Sequence, residues 1–263
     1  MTNLQGKVAV VTGAGRGVGR QAALRLASLG AGVALIARSA EQLRETAALI
    51  EAAGGRAVAL PMDLTRQLSP DDLREVAERA LGPPAILVNA AGIFGPIAQL
   101  RDTDPKAWIE TLMVNMVSPY VTCRAFVGAM IDAKWGRIIN VSSAASLLAP
   151  GPVDSAYGTS KAALNQFTRH LASELAGTGV TANVIHPGDV KTDMWAEIQR
   201  HAERLGPEAA AYKDWAAWVE TTGGDDPDKA ADLIAHIVSD EARTVSGQFL
   251  WIENGLRRPI PSW

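Results

Sequence analysis

The chain predicts a doubly wound α/β fold in one domain, from three observations. Short apolar runs alternate with longer helical patterns nearly from end to end. Several of those runs are apolar throughout, as strands buried on both faces of a parallel sheet must be. No linker, low-complexity segment or internal repeat interrupts the alternation. The strand-like runs fall at residues 8–12, 33–37, 57–60, 85–89, 137–141, 181–186 and 248–252.

The helices between them carry recognisable boundaries. Ser39 can cap the stretch through Ala53, which Gly54-Gly55 ends. Ser69-Pro70-Asp71-Asp72 supplies an N-cap, a proline at the first helical position and early acids for the helix dipole. Asp226-Pro227-Asp228 repeats that signal before a helix ending near Ser239. A long pattern runs from about Asp104 to Ala133 and contains Pro119. Proline has no N–H, so the carbonyl of Asn115, four residues earlier, is left without its helical donor and the helix kinks. Residues 194–222 form a last helical pattern bearing Trp195, Tyr212, Trp215 and Trp218, closed by Gly223-Gly224. Aromatics at this spacing serve either as packing or as pocket walls.

Composition narrows the function. Of 263 residues, 48 % are hydrophobic and 20 % charged, enough apolar material for a full core. No apolar run approaches the ~20 residues that cross a bilayer. The first seven residues lead straight into a strand and lack a signal peptide's layout. Cys123 is the only cysteine, which excludes an internal disulfide, suits a reducing cytoplasm and reads as a small core residue. A net charge of −3 supplies no broad basic face for nucleic acid. No His/Cys/Asp/Glu spacing suggests a metal site.

Two motifs point to chemistry. Thr12-Gly13-Ala14-Gly15-Arg16-Gly17-Val18-Gly19 stands between the first strand and first helix. Glycines there let the backbone turn tightly and approach a pyrophosphate at a helix N-terminus. The second strand ends Ala37-Arg38-Ser39, with no carboxylate before Glu41. An NAD site usually places an acid there for the ribose hydroxyls. Arg38, with Arg16 from the opposite side, suits a 2′-phosphate instead, so the expected cofactor is NADP(H). The second motif is Tyr157-Gly158-Thr159-Ser160-Lys161. Residues four apart share a helix face, so the ammonium can approach the phenol and favour phenolate.

With these in place the chain resembles the short-chain dehydrogenase/reductase family, from Lys7 to about Thr192 and more weakly over residues 246–255. The markers stand in family order: the glycine loop, Asp63, Asn89-Ala90-Ala91-Gly92, Asn115, Ser143, Tyr157/Lys161 and Pro187-Gly188. The resemblance implies one Rossmann-type domain over residues 1–263. Its seven-stranded parallel sheet would run in order 3-2-1-4-5-6-7, with a helical substrate lid near 194–222. It implies reversible, NADPH-dependent reduction of a ketone or aldehyde. Tyr157 would be the general acid, Ser143 the holder of the carbonyl oxygen, Lys161 the support of the phenolate and ribose, and Asn115 the start of a proton relay. Ser142 and Ser146 are the alternatives to Ser143, because the family's frequent thirteen-residue spacing to the tyrosine lands on Ala144.

Cofactor contacts are implied for Gly13, Gly15, Arg16, Gly17, Val18, Gly19, Arg38, Ser39, Asp63 and Leu64. They are also implied for Asn89, Ala90, Ala91, Gly92, Tyr157, Lys161, Pro187, Gly188, Val190 and Thr192. Asp63 would take the adenine amino group or, on its own chemistry, cap the next loop. Asn89 would mainly brace the sheet. His186 and His201 are expected as a strand-end and a surface residue. The same resemblance implies a homotetramer or homodimer, although Glu253-Asn254-Gly255 departs from the family's usual ending. Competing readings are a 3-oxoacyl thioester reductase and a non-catalytic NADP-binding regulator. The former finds little positive charge at residues 131–134 and 176–178.

Overall fold

The computed structural model describes residues 2–66, 69–252 and 255–256. Its strands are β1 (Val8–Thr12), β2 (Gly32–Ala37), β3 (Arg56–Pro61), β4 (Ile86–Asn89), β5 (Gly136–Val141), β6 (Val180–His186), β7 (Phe249–Trp251) and β8 (Gly255–Leu256). They form one sheet in the order β3-β2-β1-β4-β5-β6-β7-β8. The first seven are mutually parallel, in the order expected, and β8 is antiparallel to β7. Two residues carry no periodicity, so β8 had no signature in the sequence. Glu253 and Asn254 lie outside the described residues.

Alternate side chains of the central strands enter two cores. Ala9, Val11, Val33 and Leu35 face α1 (Gly17–Ser28), α2 (Ala40–Ala52) and α9 (Pro227–Ile237). Val10, Ala34, Ile36 and Leu87 face α3 (Pro70–Leu81), α5 (Ser118–Asp132) and α6 (Ser155–Glu174). Both faces of each strand are buried, which is why those segments read as unbroken apolar runs. Cys123 sits in the second core, where burial pushes its thiol up to about 12.

The capping signals act as read. Ser39 accepts from the Gln42 amide and Ser69 from the Asp72 amide, each at 3.3 Å. Asp226 accepts from the Asp228 amide at 2.9 Å. The long helix is not continuous. It divides into α4 (Pro105–Leu112), a π-helical turn (Met113–Val117) and α5. The break surrounds Asn115, where the missing Pro119 N–H disrupts the ladder. The lid is α7 (Asp193–Ala202) and α8 (Ala210–Thr222).

Asn89 braces the sheet. Its amide donates to Asn140 Oδ1 at 2.8 Å and its oxygen accepts from Thr122 Oγ1 at 2.7 Å. Asn140 in turn donates to Thr168 Oγ1 at 2.8 Å, so β4, β5, α5 and α6 share one buried polar chain. The turn from β1 to α1 is equally constrained. A Cβ on Gly19 would stand 2.3 Å from the Gly13 carbonyl oxygen and 2.7 Å from its carbon. Backbone cannot yield as a side-chain tip can. Gly19→Ala is therefore expected to cost about 1–3 kcal/mol, seen as a lower Tm, and to weaken cofactor binding. An unchanged melting curve would show the loop to be looser than drawn.

Candidate active site

The carboxyl ends of β1, β4, β5 and β6 open into a cleft of about 730 Å³. Crevices at such strand ends are where doubly wound sheets bind ligands. Thr12 ends β1 and ties two loops together: its Oγ1 accepts from the Ala90 and Ala91 amides, each at 3.1 Å. Gly13, at φ +67°, passes so close to Ala90 and Ala91 that a Cβ would meet them at 2.8–2.9 Å. Gly17 (φ +54°) begins α1 beside Thr192, 3.5 Å from where its Cβ would be. The result is a floor rich in glycine and alanine with a helix N-terminus at its end. A dinucleotide's pyrophosphate fits such a surface.

Polar side chains line the same cleft. Tyr157 and Lys161 are consecutive-turn residues of α6, 8 % and 5 % exposed. Lys161 Nζ donates to the Val141 carbonyl at 2.8 Å and lies 5.7 Å from the centre of the Tyr157 ring. Ser143 follows β5 and is hydrogen-bonded to Tyr157. Ser142 is instead tied to the Lys161 carbonyl at 3.4 Å. Ser146 donates to the Ser143 carbonyl and accepts from Asn165. Of the three serines, Ser143 is the one hydrogen-bonded to Tyr157.

The expected electrostatics need correction. Burial pushes Tyr157 up to about 12, with the Ser143 hydrogen bond as the one opposing influence and Asp189 and Asp154 raising it further. Lys161 does not hold the phenol below its ordinary value. Its own ammonium is pushed down to about 8 by burial. Desolvation penalises phenolate and ammonium alike, and at these depths it exceeds their mutual attraction.

Asn115 is fully buried. Its Oδ1 accepts from the Ile93 amide at 2.9 Å, and its Nδ2 donates to the Ile93 carbonyl at 2.8 Å and Ser160 Oγ at 3.0 Å. It thus fastens the loop after β4 to α6. A Cβ on Gly92 would lie 3.4 Å from Asn115 Oδ1 and 3.6 Å from Lys161 Nζ, so that loop passes directly over the pair.

Gly13, Arg16, Gly17, Val18, Gly19, Ala90, Ala91, Gly92, Ser143, Tyr157, Lys161, Pro187, Gly188, Val190 and Thr192 all border the cleft. Gly15, Asn89 and Asn115 do not line it, and neither do Arg38, Ser39, Asp63 and Leu64 at the β2–β3 end. Several of these residues have local duties instead. Arg16 pairs with Asp193 at the start of α7, rather than turning toward Arg38. Asp63 accepts from Thr65 Oγ1 at 2.7 Å and its amide at 3.0 Å, bonds that hold its carboxyl below the usual range. Leu64 packs in the second core. Thr192 caps α7 by accepting from the Trp195 amide at 3.4 Å. Val190 bridges Gly224. His186 is buried at the end of β6 and accepts from the Ala144 amide at 3.2 Å, while His201 is exposed.

The sequence did not reveal Phe94 and Asp154. Phe94 stacks on Tyr157 with ring centres 4.5 Å apart and meets Tyr212 edge-on at 5.5 Å. Asp154 accepts from the Tyr212 hydroxyl at 2.7 Å, joining the lid to α6. Of the lid aromatics, Trp195 is buried, Tyr212 and Trp215 pack around Phe94 and Tyr157, and Trp218 is 47 % exposed. Among the described residues no cluster could hold a metal ion, and no helix is long and apolar enough to cross a membrane.

Residues 7–203 match the short chain dehydrogenase family. A short chain dehydrogenase of Pseudocercospora fijiensis is 40 % identical over 195 residues, 73 % of this chain and 62 % of that protein's length. The 3-oxoacyl-[acyl-carrier-protein] reductase FabG of Pseudomonas aeruginosa is 38 % identical over 199 residues, covering 74 % of this chain and 78 % of the relative. A blue fluorescent protein from a metagenomic library, solved in complex with NADPH, superposes with a TM-score of 0.81 at 33 % identity, over 97 % of this chain and 100 % of that one. Similar solved structures carry NAD+ as well as NADP or NADPH. A glycine-floored crevice, a tyrosine and lysine one helical turn apart on its wall, and a match spanning most of the domain lead to one conclusion: the chain belongs to the short-chain dehydrogenase family of oxidoreductases.

Proposed function

We propose that the chain is an NADPH-dependent reductase of ketones and aldehydes, acting reversibly, with Tyr157 as its general acid. The observation that carries this reading is the wall formed by Ser143, Tyr157 and Lys161. Bound NADPH supplies the hydride. Ser143 holds the substrate oxygen, and Tyr157, protonated throughout the physiological range, gives that oxygen its proton. A cationic Lys161 stabilises the phenolate left behind and also engages the nicotinamide ribose. Asn115, in the π-helical turn, begins the path that returns a proton to Lys161. The floor residues from Gly13 to Gly19 and Ala90 to Gly92, with Pro187, Gly188, Val190 and Thr192, hold the cofactor. Ser39, Asp63 and Leu64 border its adenine end in the same reading.

NADP preference is argued from Arg38, exposed at the end of β2 with no carboxylate before Glu41. Arg38→Asp is expected to raise the KM for NADPH at least about tenfold and to lower that for NADH. Equal NADPH affinity in the variant would overturn the preference. A panel of ketones and aldehydes tests the reaction itself, and stoichiometric NADPH binding without turnover would point to a regulator.

Similarity to the Pseudomonas reductase favours a second reading, reduction of 3-oxoacyl thioesters. Comparing a thioester with the matching free ketone separates the two. The reading further takes the protein to be cytoplasmic and a homotetramer or homodimer. The exposed Ile109 and Tyr120 on α4 and α5 support such an assembly. Sedimentation would measure it.

A further inference from the structure

Asp154 immediately precedes α6, where an aspartate ordinarily accepts from a first-turn amide. Its side chain makes no such bond, whereas Asp104 and Asp226 cap α4 and α9 in that way. Instead the carboxylate is buried, 5 % exposed, and borders the reactive cleft one turn before Tyr157. Among the described residues, the Tyr212 hydroxyl is its only side-chain hydrogen-bond partner, at Oδ2. A carboxylate can accept about four hydrogen bonds, so the one from Tyr212 leaves room for more. The cap is thus absent, and the carboxylate keeps acceptor capacity on the cleft wall beside Tyr157.

We propose that Asp154 is a substrate-recognition residue, and that the carbonyl compound reduced here also carries a hydroxyl group that donates to the Asp154 carboxylate. The proposal rests on the reductase reading and narrows its substrate class. The Tyr212 hydroxyl, donating to Oδ2, already shows that this carboxylate takes an O–H donor in this setting. The reacting carbonyl sits at Ser143 and Tyr157, while the hydroxyl reaches Asp154 on the same helix. Phe94, Ile198 and Trp215 enclose the apolar remainder.

The test compares α-hydroxyacetophenone with propiophenone, in which a methyl replaces the hydroxyl. The ratio of their kcat/KM values is measured for the wild type, Asp154→Leu and Tyr212→Phe. The ratio should fall about tenfold or more in Asp154→Leu. It should persist or rise in Tyr212→Phe, which frees carboxylate lone pairs. Equal losses on both ketones in Asp154→Leu, as a packing role would give, overturn the proposal; so does a falling ratio in Tyr212→Phe, which remains decisive should the leucine variant not fold. Calorimetric binding of styrene glycol against α-ethylbenzyl alcohol to the NADP-loaded wild type gives a readout free of turnover. Preference for the glycol without any ketone reduction would refute the reductase reading and support the recognition site. No glycol preference refutes the recognition site, whatever the turnover.

Discussion

Tyr157→Phe is expected to give a folded protein that binds NADPH with nearly unchanged Kd and loses at least about a hundredfold in kcat. The packing argument comes first. The ring stacks on Phe94 at 4.5 Å and belongs to a cluster with Ile97, Val153 and Ile198. Phenylalanine preserves those contacts and deletes only the hydroxyl that Ser143 engages. The chemical argument follows from the pKa. At about 12 the phenol retains its proton throughout the working range, so in the reductive direction it stands ready as the acid. Without it, the alkoxide formed by hydride addition has no positioned donor. Single-turnover rates with saturating NADPH, together with fluorescence titration of the cofactor, check both halves. A variant that kept most of its turnover would move the acid elsewhere on the cleft wall, to Tyr212 or His186.

The architecture was readable because its signals are local. Apolar runs buried on both faces, the caps at Ser39, Ser69 and Asp226, and the glycine crowding after β1 each depend on residues within a few positions of one another. The pairing of Tyr157 with Lys161 is legible for the same reason. Failures arose where contacts are distant. Arg16 meets Asp193 across 177 positions and Tyr212 meets Asp154 across 58, and no periodicity encodes either. Chemical degeneracy limits the reading in a second way. The resemblance implies cofactor contacts for Ser39, Asp63 and Thr192, and each also caps or turns its own backbone. Short polar side chains are what both tasks require, so residue type alone cannot separate them. Asp154 shows the converse: it occupies a cap position and does not cap. The position of Ser143 beside Tyr157 follows from strand β5, whose carboxyl end is fixed whatever the length of the loop that follows.

Lys161→Met should produce opposite changes in activity and in proton-linked stability. Burial lowers the ammonium from 10.5 to about 8, so the folded state binds fewer protons than the unfolded chain between those values. Stability of the wild type must therefore rise with pH across that window, and below about 8 the fold carries the buried cation at full cost. Methionine removes the proton-linked part, on the order of 3 kcal/mol. The hydrogen bond to the Val141 carbonyl is lost at every pH and does not alter the slope. Relative to wild type, the variant's Tm should be most favourable near pH 7 and lose that advantage steadily from about 8 to about 10.5. Activity should tell the other half. Wild-type reduction should fall above about pH 8, as the cation that stabilises the Tyr157 phenolate is neutralised. Lys161→Met should be slower by about a hundredfold and lack that limb. Parallel Tm curves for the two proteins would mean that the amine is not desolvated as its burial implies. An unchanged pH–rate profile would remove Lys161 from the proton transfer.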